Sequence, residues 1–342
     1  MVLPNRVTDL RLVPVLWILA LCILLGGGTC GPVLPLPDTE PIPGGGAWRS
    51  FTPAPEPLHE SAVSVIGNSL YVVGGRTPSG PVSTLYRYDP PPVDAWTQLA
   101  SHPGTPVDHM GTAVVNGILY AFGGTIEFPG PSVAHTYAYD PASNTWSSKA
   151  PMPVTLGVMG VGVVNDKIYL IGGLSAFQTS NVVLEYDPAA DRWTDLTPVA
   201  AMPTPRDHFV AATVNGRIHC IGGRQTTIES ILDVHEVFDP VTRTWQSRAP
   251  LPTARGGFSA AVLNGKILII GGEGADNAYG VFSECEEYDP ATNTWRKLSP
   301  MKTPRHSAQA GVIDGVVYVP AGAPRIGRTY TTVHEGFSFA FE

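Results

Sequence analysis

Along most of its length the chain alternates between two textures. Strand-length runs of small and apolar residues come in pairs, and polar stretches rich in glycine and proline separate the pairs. Residues 201–223, AMPTPRDHFVAATVNGRIHCIGG, show the unit. A loop leads into an apolar run, a two-residue turn follows, and a second apolar run stops at a glycine pair. Short apolar runs bounded by turn residues predict buried β-strands. Asn215-Gly216 predicts a type I′ hairpin turn, because both central residues must accept positive φ.

This hairpin recurs. Glycine pairs stand at Gly74-Gly75, Gly123-Gly124, Gly172-Gly173, Gly222-Gly223 and Gly271-Gly272, with Ala321-Gly322 as a degenerate sixth copy. The spacings are 49, 49, 50, 49 and 50 residues. A turn signal precedes each pair: Gly67-Asn68, Asn116-Gly117, Asn165-Asp166, Asn215-Gly216, Asn264-Gly265 and Asp314-Gly315. After a variable loop comes Tyr88-Asp89-Pro90, Tyr139-Asp140-Pro141, Tyr186-Asp187-Pro188, Phe238-Asp239-Pro240 or Tyr288-Asp289-Pro290, and then Trp96, Trp146, Trp193, Trp245 or Trp295. Proline cannot continue a strand ladder, so it marks the turn into the next strand.

One period therefore holds four strands, a to d. A period near 50 with this punctuation predicts a propeller blade. The glycine pair, the tryptophan after Asp-Pro and the period together resemble the kelch repeat over residues 47–342. The resemblance implies an all-β fold, a six-bladed kelch β-propeller. The sixth copy has no tryptophan after it, and Trp48 stands at the opposite end of the chain. The segment around Trp48 is expected to supply strand d of blade 6, closing the ring and removing two aggregation-prone edges.

Composition adjusts this picture in three places. With 342 residues, 43% hydrophobic and 15% charged, the chain can bury a large core. Its 37 glycines and 34 prolines fall mostly at repeat positions, so they punctuate blades rather than signal disorder. A net charge of −8, with no basic run after the N-terminus, argues against nucleic-acid binding.

Residues 1–30 read differently. Arg6 and Arg11 precede an apolar run from Leu12 to Leu25, then Gly26-Gly27-Gly28-Thr29-Cys30. This is the plan of a signal peptide or of a membrane or lipid anchor, with Cys30 as the lipid acceptor. Residues 31–46 are expected to be a Pro/Gly-rich linker and 47–342 the propeller. The expected location is secreted or cell-envelope, with membrane attachment only through the N-terminus. Cys220 replaces an apolar residue two before a glycine pair and Cys285 lies on a strand c, so neither is expected in a disulfide.

Chemistry on a propeller is expected at the loop-lined mouth of its channel. Counting back sixteen residues from each glycine pair gives Leu58, Val107, Leu156, Arg206, Arg255 and Arg305. The three arginines either tie their loops to backbone carbonyls or form a half-ring for a carboxylate or sulfate. Fourteen residues back stand Glu60, His109, Val158, His208, Gly257 and Ser307, differing from blade to blade as a binding surface does. In kelch domains of ubiquitin-ligase adaptors this position carries arginines for acidic peptides. His109 and His208 stand there here, so that specificity does not carry over. Loops after the glycine pairs add Arg224, Tyr279 and Arg325, with Phe128, Phe177, Arg328 and Tyr330, as aromatic and cationic lining.

No metal and no cofactor is expected. Glu229, Asp233 and His235 resemble the start of the Glu-x3-Asp-x3-His iron site of plant nitrile-specifier kelch proteins, but the histidine comes two residues after the aspartate. There is no Cys-x2-Cys, Gly-x-Ser-x-Gly or Gly-x4-Gly-Lys motif. No cysteine is placed for the Tyr-Cys crosslink of galactose oxidase-type rings. The expectation is an exported binding module for a glycan or protein ligand at the channel mouth. The alternative is an enzyme similar to N-acetylneuraminate epimerases, with Arg206, Arg255 and Arg305 as carboxylate clamp and Glu60, His109 or His208 as proton carrier.

Overall fold

The computed structural model describes residues 40–175, 177–274 and 280–341; residues 1–30, expected to be a signal or anchor segment, fall outside them. Six four-stranded antiparallel sheets follow one another along the chain. Blade 4 is representative, with strands Val210–Val214, Arg217–Ile221, His235–Asp239 and Thr244–Ser247 paired in that order. At its a–b turn Asn215 and Gly216 both have positive φ, 51° and 71°. The first strands of the blades, Ala62–Ile66, Gly111–Val115, Gly160–Val164, Val210–Val214, Ser259–Leu263 and Gly311–Ile313, adjoin one another in a closed circle around a channel.

The ring closes as the tryptophan count demands. Strand Ala47–Ser50 pairs with His334–Ser338, placing Trp48 opposite Phe337. Part of the expected linker is already structured. Ile42 N–H donates to Ser299 Oγ at 2.9 Å, and Ser299 N–H donates to the Gly45 carbonyl at 2.9 Å. Gly46, at φ 76°, lies so close to the Phe337 ring that a Cβ there would fall 2.3 Å from it.

Apolar faces of successive blades supply the core. Tyr120 and Phe122 of blade 2 pack against Ile168, Leu170, Leu184 and Tyr186 of blade 3, all buried. Two hydrogen-bond series tie the blades at fixed places. Each tryptophan indole N–H reaches back to a carbonyl of the preceding segment: Trp48 to Ser299, Trp96 to Thr52, Trp146 to Ala100, Trp193 to Ala150, Trp245 to Ala200 and Trp295 to Ala249, at 2.7–3.0 Å. Each second glycine donates forward to the next blade: Gly75 to Val107, Gly124 to Leu156, Gly173 to Arg206, Gly223 to Arg255, Gly272 to Arg305 and Gly322 to Leu58. These second glycines have φ from 88° to 117°, a region closed to most side chains. The glycine pair is thus the hinge that lets one blade donate to its neighbour.

Candidate functional site

The three arginines sixteen residues before the glycine pairs are not in the channel mouth. Arg206, Arg255 and Arg305 are 0%, 0% and 1% exposed. Their Nη1 atoms donate to Glu236, Glu286 and Glu335, each at 2.6 Å, and to the carbonyls of Thr204, Thr253 and Thr303. Further donors reach the carbonyls of Cys220, Gly271 and Ala321. Every arm of these guanidiniums is turned into its own blade, which corrects the expectation of a ligand-binding half-ring. A guanidinium carries five donors, and strand-end carbonyls plus one buried carboxylate absorb most of them, Arg206 Nε having no partner among the described residues.

The residues fourteen before the pair share one backbone conformation. Glu60, His109, Val158, His208 and Ser307 all have φ between 51° and 58°, and Gly257 has 60°. Their peptides form a belt. Glu60 N–H donates to Ser307, His109 to Glu60, Val158 to His109, Gly257 to His208 and Ser307 to Gly257, at 2.7–3.1 Å. The belt holds the backbone, and the side chains vary freely upon it.

Above the belt lies a cavity of about 340 Å³. His59, Glu60, Asp108, His109, His208 and Arg224 line it, with Arg76, Glu273, Phe128 and Arg328 also in the wall. Much of the wall comes from two repeat positions, of which only Arg224 stood out in the sequence. One is the residue fifteen before the glycine pair, and the other the residue two after its first glycine. They face each other as short bridges: His59 with Arg76, Asp108 with Thr125, Gly157 with Leu174, Asp207 with Arg224, Gly256 with Glu273 and His306 with Ala323. The available signal was polar residues recurring between two positions already identified as inward-facing. Phe128, Pro129, Ile228 and Ile326 make its apolar side.

The polar groups form one network. His109 Nδ1 donates to Asp108 at 2.8 Å, and its Nε2 lies 3.1 Å from Glu60 Oε1. His208 Nδ1 pairs with Asp207, and its Nε2 accepts from Arg224 Nη2 at 2.9 Å. Arg224 also binds Glu273. Ser307 Oγ donates to Glu60 and lies 2.7 Å from His306 Nδ1. Arg76 contacts Asp108 at 3.4 Å and Glu127 at 2.7 Å, and Arg328 reaches the same Glu127 at 2.8 Å. Phe128 covers the floor, its ring 4.5 Å from His109 and 5.4 Å from His208. His59 is buried with neither ring nitrogen hydrogen-bonded among the described residues.

These contacts set the charges. Burial opposes charge on His109, but Glu60 and Asp108 outweigh it and push its pKa up to about 10. Burial likewise opposes ionisation of Glu60, yet the charge on His109 holds it well below the usual carboxylate range. For His208, burial and then the Arg224 charge lower the pKa, so the imidazole is neutral. Burial lowers His59 to about 4.

Of the remaining sequence candidates, Arg325 is exposed, and its carbonyl rather than its guanidinium meets the network, accepting from His306 Nε2 at 3.0 Å. Tyr279 lies outside the described residues. Phe177 is 58% exposed and does not line the cavity, whereas Tyr330 packs edge-on against His59. Glu229, Asp233 and His235 do not converge: Glu229 lies in the 3-10 turn Ile228–Ser230, Asp233 in the segment after it, and His235 is buried in blade 4 with Nε2 2.9 Å from His219 Nδ1. Cys220 and Cys285 are free and buried, and burial raises both thiol pKa values, which leaves them inert.

Comparison with known proteins agrees with the architecture. Residues 113–322 match the KLHDC2/KLHL20/DRC7 Kelch-repeats domain, and residues 57–103 match the Kelch motif. An F-box/kelch-repeat protein of Arabidopsis thaliana is 38% identical over 64 residues, 19% of this chain and 16% of that protein. Human Kelch-like protein 13 is 39% identical over 59 residues, 16% of this chain and 9% of that protein. The chain thus matches only a small part of these relatives' length. The solved structure of YjhT is similar with a TM-score of 0.70 at 18% identity, covering 83% of this chain and 95% of that one, a likeness of fold.

Proposed function

The chain belongs to the kelch-repeat family, and from that premise we propose that it is an exported recognition module whose channel mouth holds the end of a glycan. The observation that carries this reading is the mixed wall of the cavity. Arg76 with Asp108, and Arg224 with Asp207 and Glu273, set a donor beside an acceptor at adjacent places. Vicinal hydroxyls of a sugar ring need that pairing. Phe128 offers a flat apolar face of the kind a sugar ring lies on, and His59 has two ring nitrogens left for a ligand. A volume of about 340 Å³ falls within the roughly 300–1,000 Å³ of small-ligand sites. Export rests on the composition of residues 1–30.

A second reading, a sugar mutarotase similar to N-acetylneuraminate epimerases, keeps one specific support: Glu60, His109 and His208 share the cavity floor. It loses the clamp it called on, because the blade arginines are sealed. Arg76, Arg224 and Arg328 would have to replace them, and each already holds a carboxylate.

A glycan array followed by thermal-shift titration tests the first reading. At least one sugar should raise the melting temperature, since a ligand bound only by the folded ring stabilises it. Phe128→Ala and His59→Phe should each abolish that shift while leaving the unliganded melting temperature nearly unchanged. Silence across the array and the titrations would refute the reading. Accelerated anomer exchange seen by NMR, lost in Glu60→Gln, would move the assignment to the enzyme.

A further inference from the structure

Glu60, His109 and His208 come from three blades and meet at the belt. One ligand atom from each lies within 4.8 Å of the other two. We propose that these three side chains form a binding site for a divalent first-row cation, with its remaining coordination position open to the cavity.

Three observations support it. The donor set is two imidazoles and a carboxylate, which suits zinc and its neighbours rather than calcium or magnesium. Both histidines are already held as metal ligands are held. Each gives Nδ1 to a buried carboxylate, Asp108 or Asp207, and that bond fixes the ring and leaves Nε2 as the coordinating atom. His109 is 8% exposed, and its Nε2 makes no hydrogen bond among the described residues, although Glu60 Oε1 lies 3.1 Å away. A small inward movement of the three groups brings them to the metal–nitrogen and metal–oxygen distances of about 2.0–2.2 Å.

Two things act against the cation: His109, which Glu60 and Asp108 hold in its charged form, must give up its Nε2 proton to coordinate, and one contact occupies the third ligand. Arg224 Nη2 donates to His208 Nε2 at 2.9 Å and occupies the lone pair that a metal needs. Arg224 is held there by Glu273 and lies 3.5 Å from Asp207. It must swing toward the cavity before the third ligand engages. Arg224 is therefore a gate, and removing its side chain should tighten cation binding. A purely structural hydrogen-bond network predicts the reverse, that losing Arg224 only loosens the site.

The inference does not depend on the glycan reading, because zinc is titrated without sugar. Untagged full-length chain is stripped with chelator and titrated with zinc chloride by calorimetry, and with cobalt(II) followed by visible absorption. One equivalent should bind. Affinity should fall more than tenfold in Glu60→Gln and in His208→Gln, and about tenfold in Asp207→Asn. It should rise in Arg224→Ala. Circular dichroism and melting temperature establish that each variant is folded, and Asp207→Asn, which leaves all three ligands in place, serves if a ligand variant does not fold. The proposal falls if the stripped protein binds no zinc, if folded Glu60→Gln and His208→Gln bind as wild type does, or if Arg224→Ala weakens binding.

Discussion

Blades 1–3 and blades 4–6 fill the same interior position with opposite chemistry. In the first half Leu58, Val107 and Leu156 are buried there, and the facing strand-c residues are Tyr86, Tyr137 and Leu184. In the second half the position holds Arg206, Arg255 and Arg305, and the facing residues are Glu236, Glu286 and Glu335. The backbone is the same in both halves, and the second glycine of each pair reaches across to the same carbonyl. The fold therefore does not require the ion pair. What the ion pair requires is its partner: two charges taken out of water are tolerated together and costly apart.

The largest effect should come from the strand that completes blade 6 in the charged half. Deleting residues 47–52 removes the partner of His334–Ser338 and the Trp48 indole bond to Ser299. The shortened chain should aggregate, as measured by light scattering on a sizing column. A monomer with unchanged melting temperature would mean that the clasp does not hold the ring.

Next comes the comparison itself. Arg255→Leu should cost about 3–5 kcal/mol in urea unfolding, because Glu286 is left charged and buried. Adding Glu286→Leu should recover most of the loss, making blade 5 resemble blade 3. If the double variant is no better than the single one, the two halves are not alternative solutions of one packing problem.

Acid should then separate the halves. His219, His235 and His334, in blades 4 and 6, are lowered by burial to about 4, 3 and 4, while His59 and His102, each at about 4, are the counterparts in blade 1. A histidine depressed below its unfolded value of 6.5 is neutral in the fold. Its contribution is intact above pH 6.5 and is lost as the pH falls toward 4, at roughly 1.4 kcal/mol per pH unit. Hydrogen exchange at pH 5 should therefore open blades 4 and 6 before blades 2 and 3. Equal loss of protection around the ring would contradict this. The smallest effect, about 1 kcal/mol each, is expected for Trp146→Phe and Trp245→Phe, since each loses one indole bond. The two should match, because this latch is common to both halves.

The blade count and the clasp were legible because both rest on spacing. The tryptophan missing after the sixth copy stands at the other end of the chain as Trp48, and no tertiary knowledge is needed to see it. The belt of Glu60, His109, His208 and Ser307 was legible for the same reason. The direction of Arg206, Arg255 and Arg305 was not, because it depends on Glu236, Glu286 and Glu335, some 30 residues further along and brought opposite only by strand pairing. His59 and Asp108 were hidden for another reason. Their role as wall residues arises from the short bridges to Arg76 and Thr125, which follow no strand-like alternation.

The belt also bears on how such a molecule changes over time. Glutamate, histidine, valine, glycine and serine occupy equivalent places on it with nearly equal φ, and peptide-to-peptide hydrogen bonds run between neighbouring places. Each place is a socket whose occupant can be exchanged without rebuilding its support. A new specificity can thus arise one residue at a time, while the wheel that carries it stays as it is.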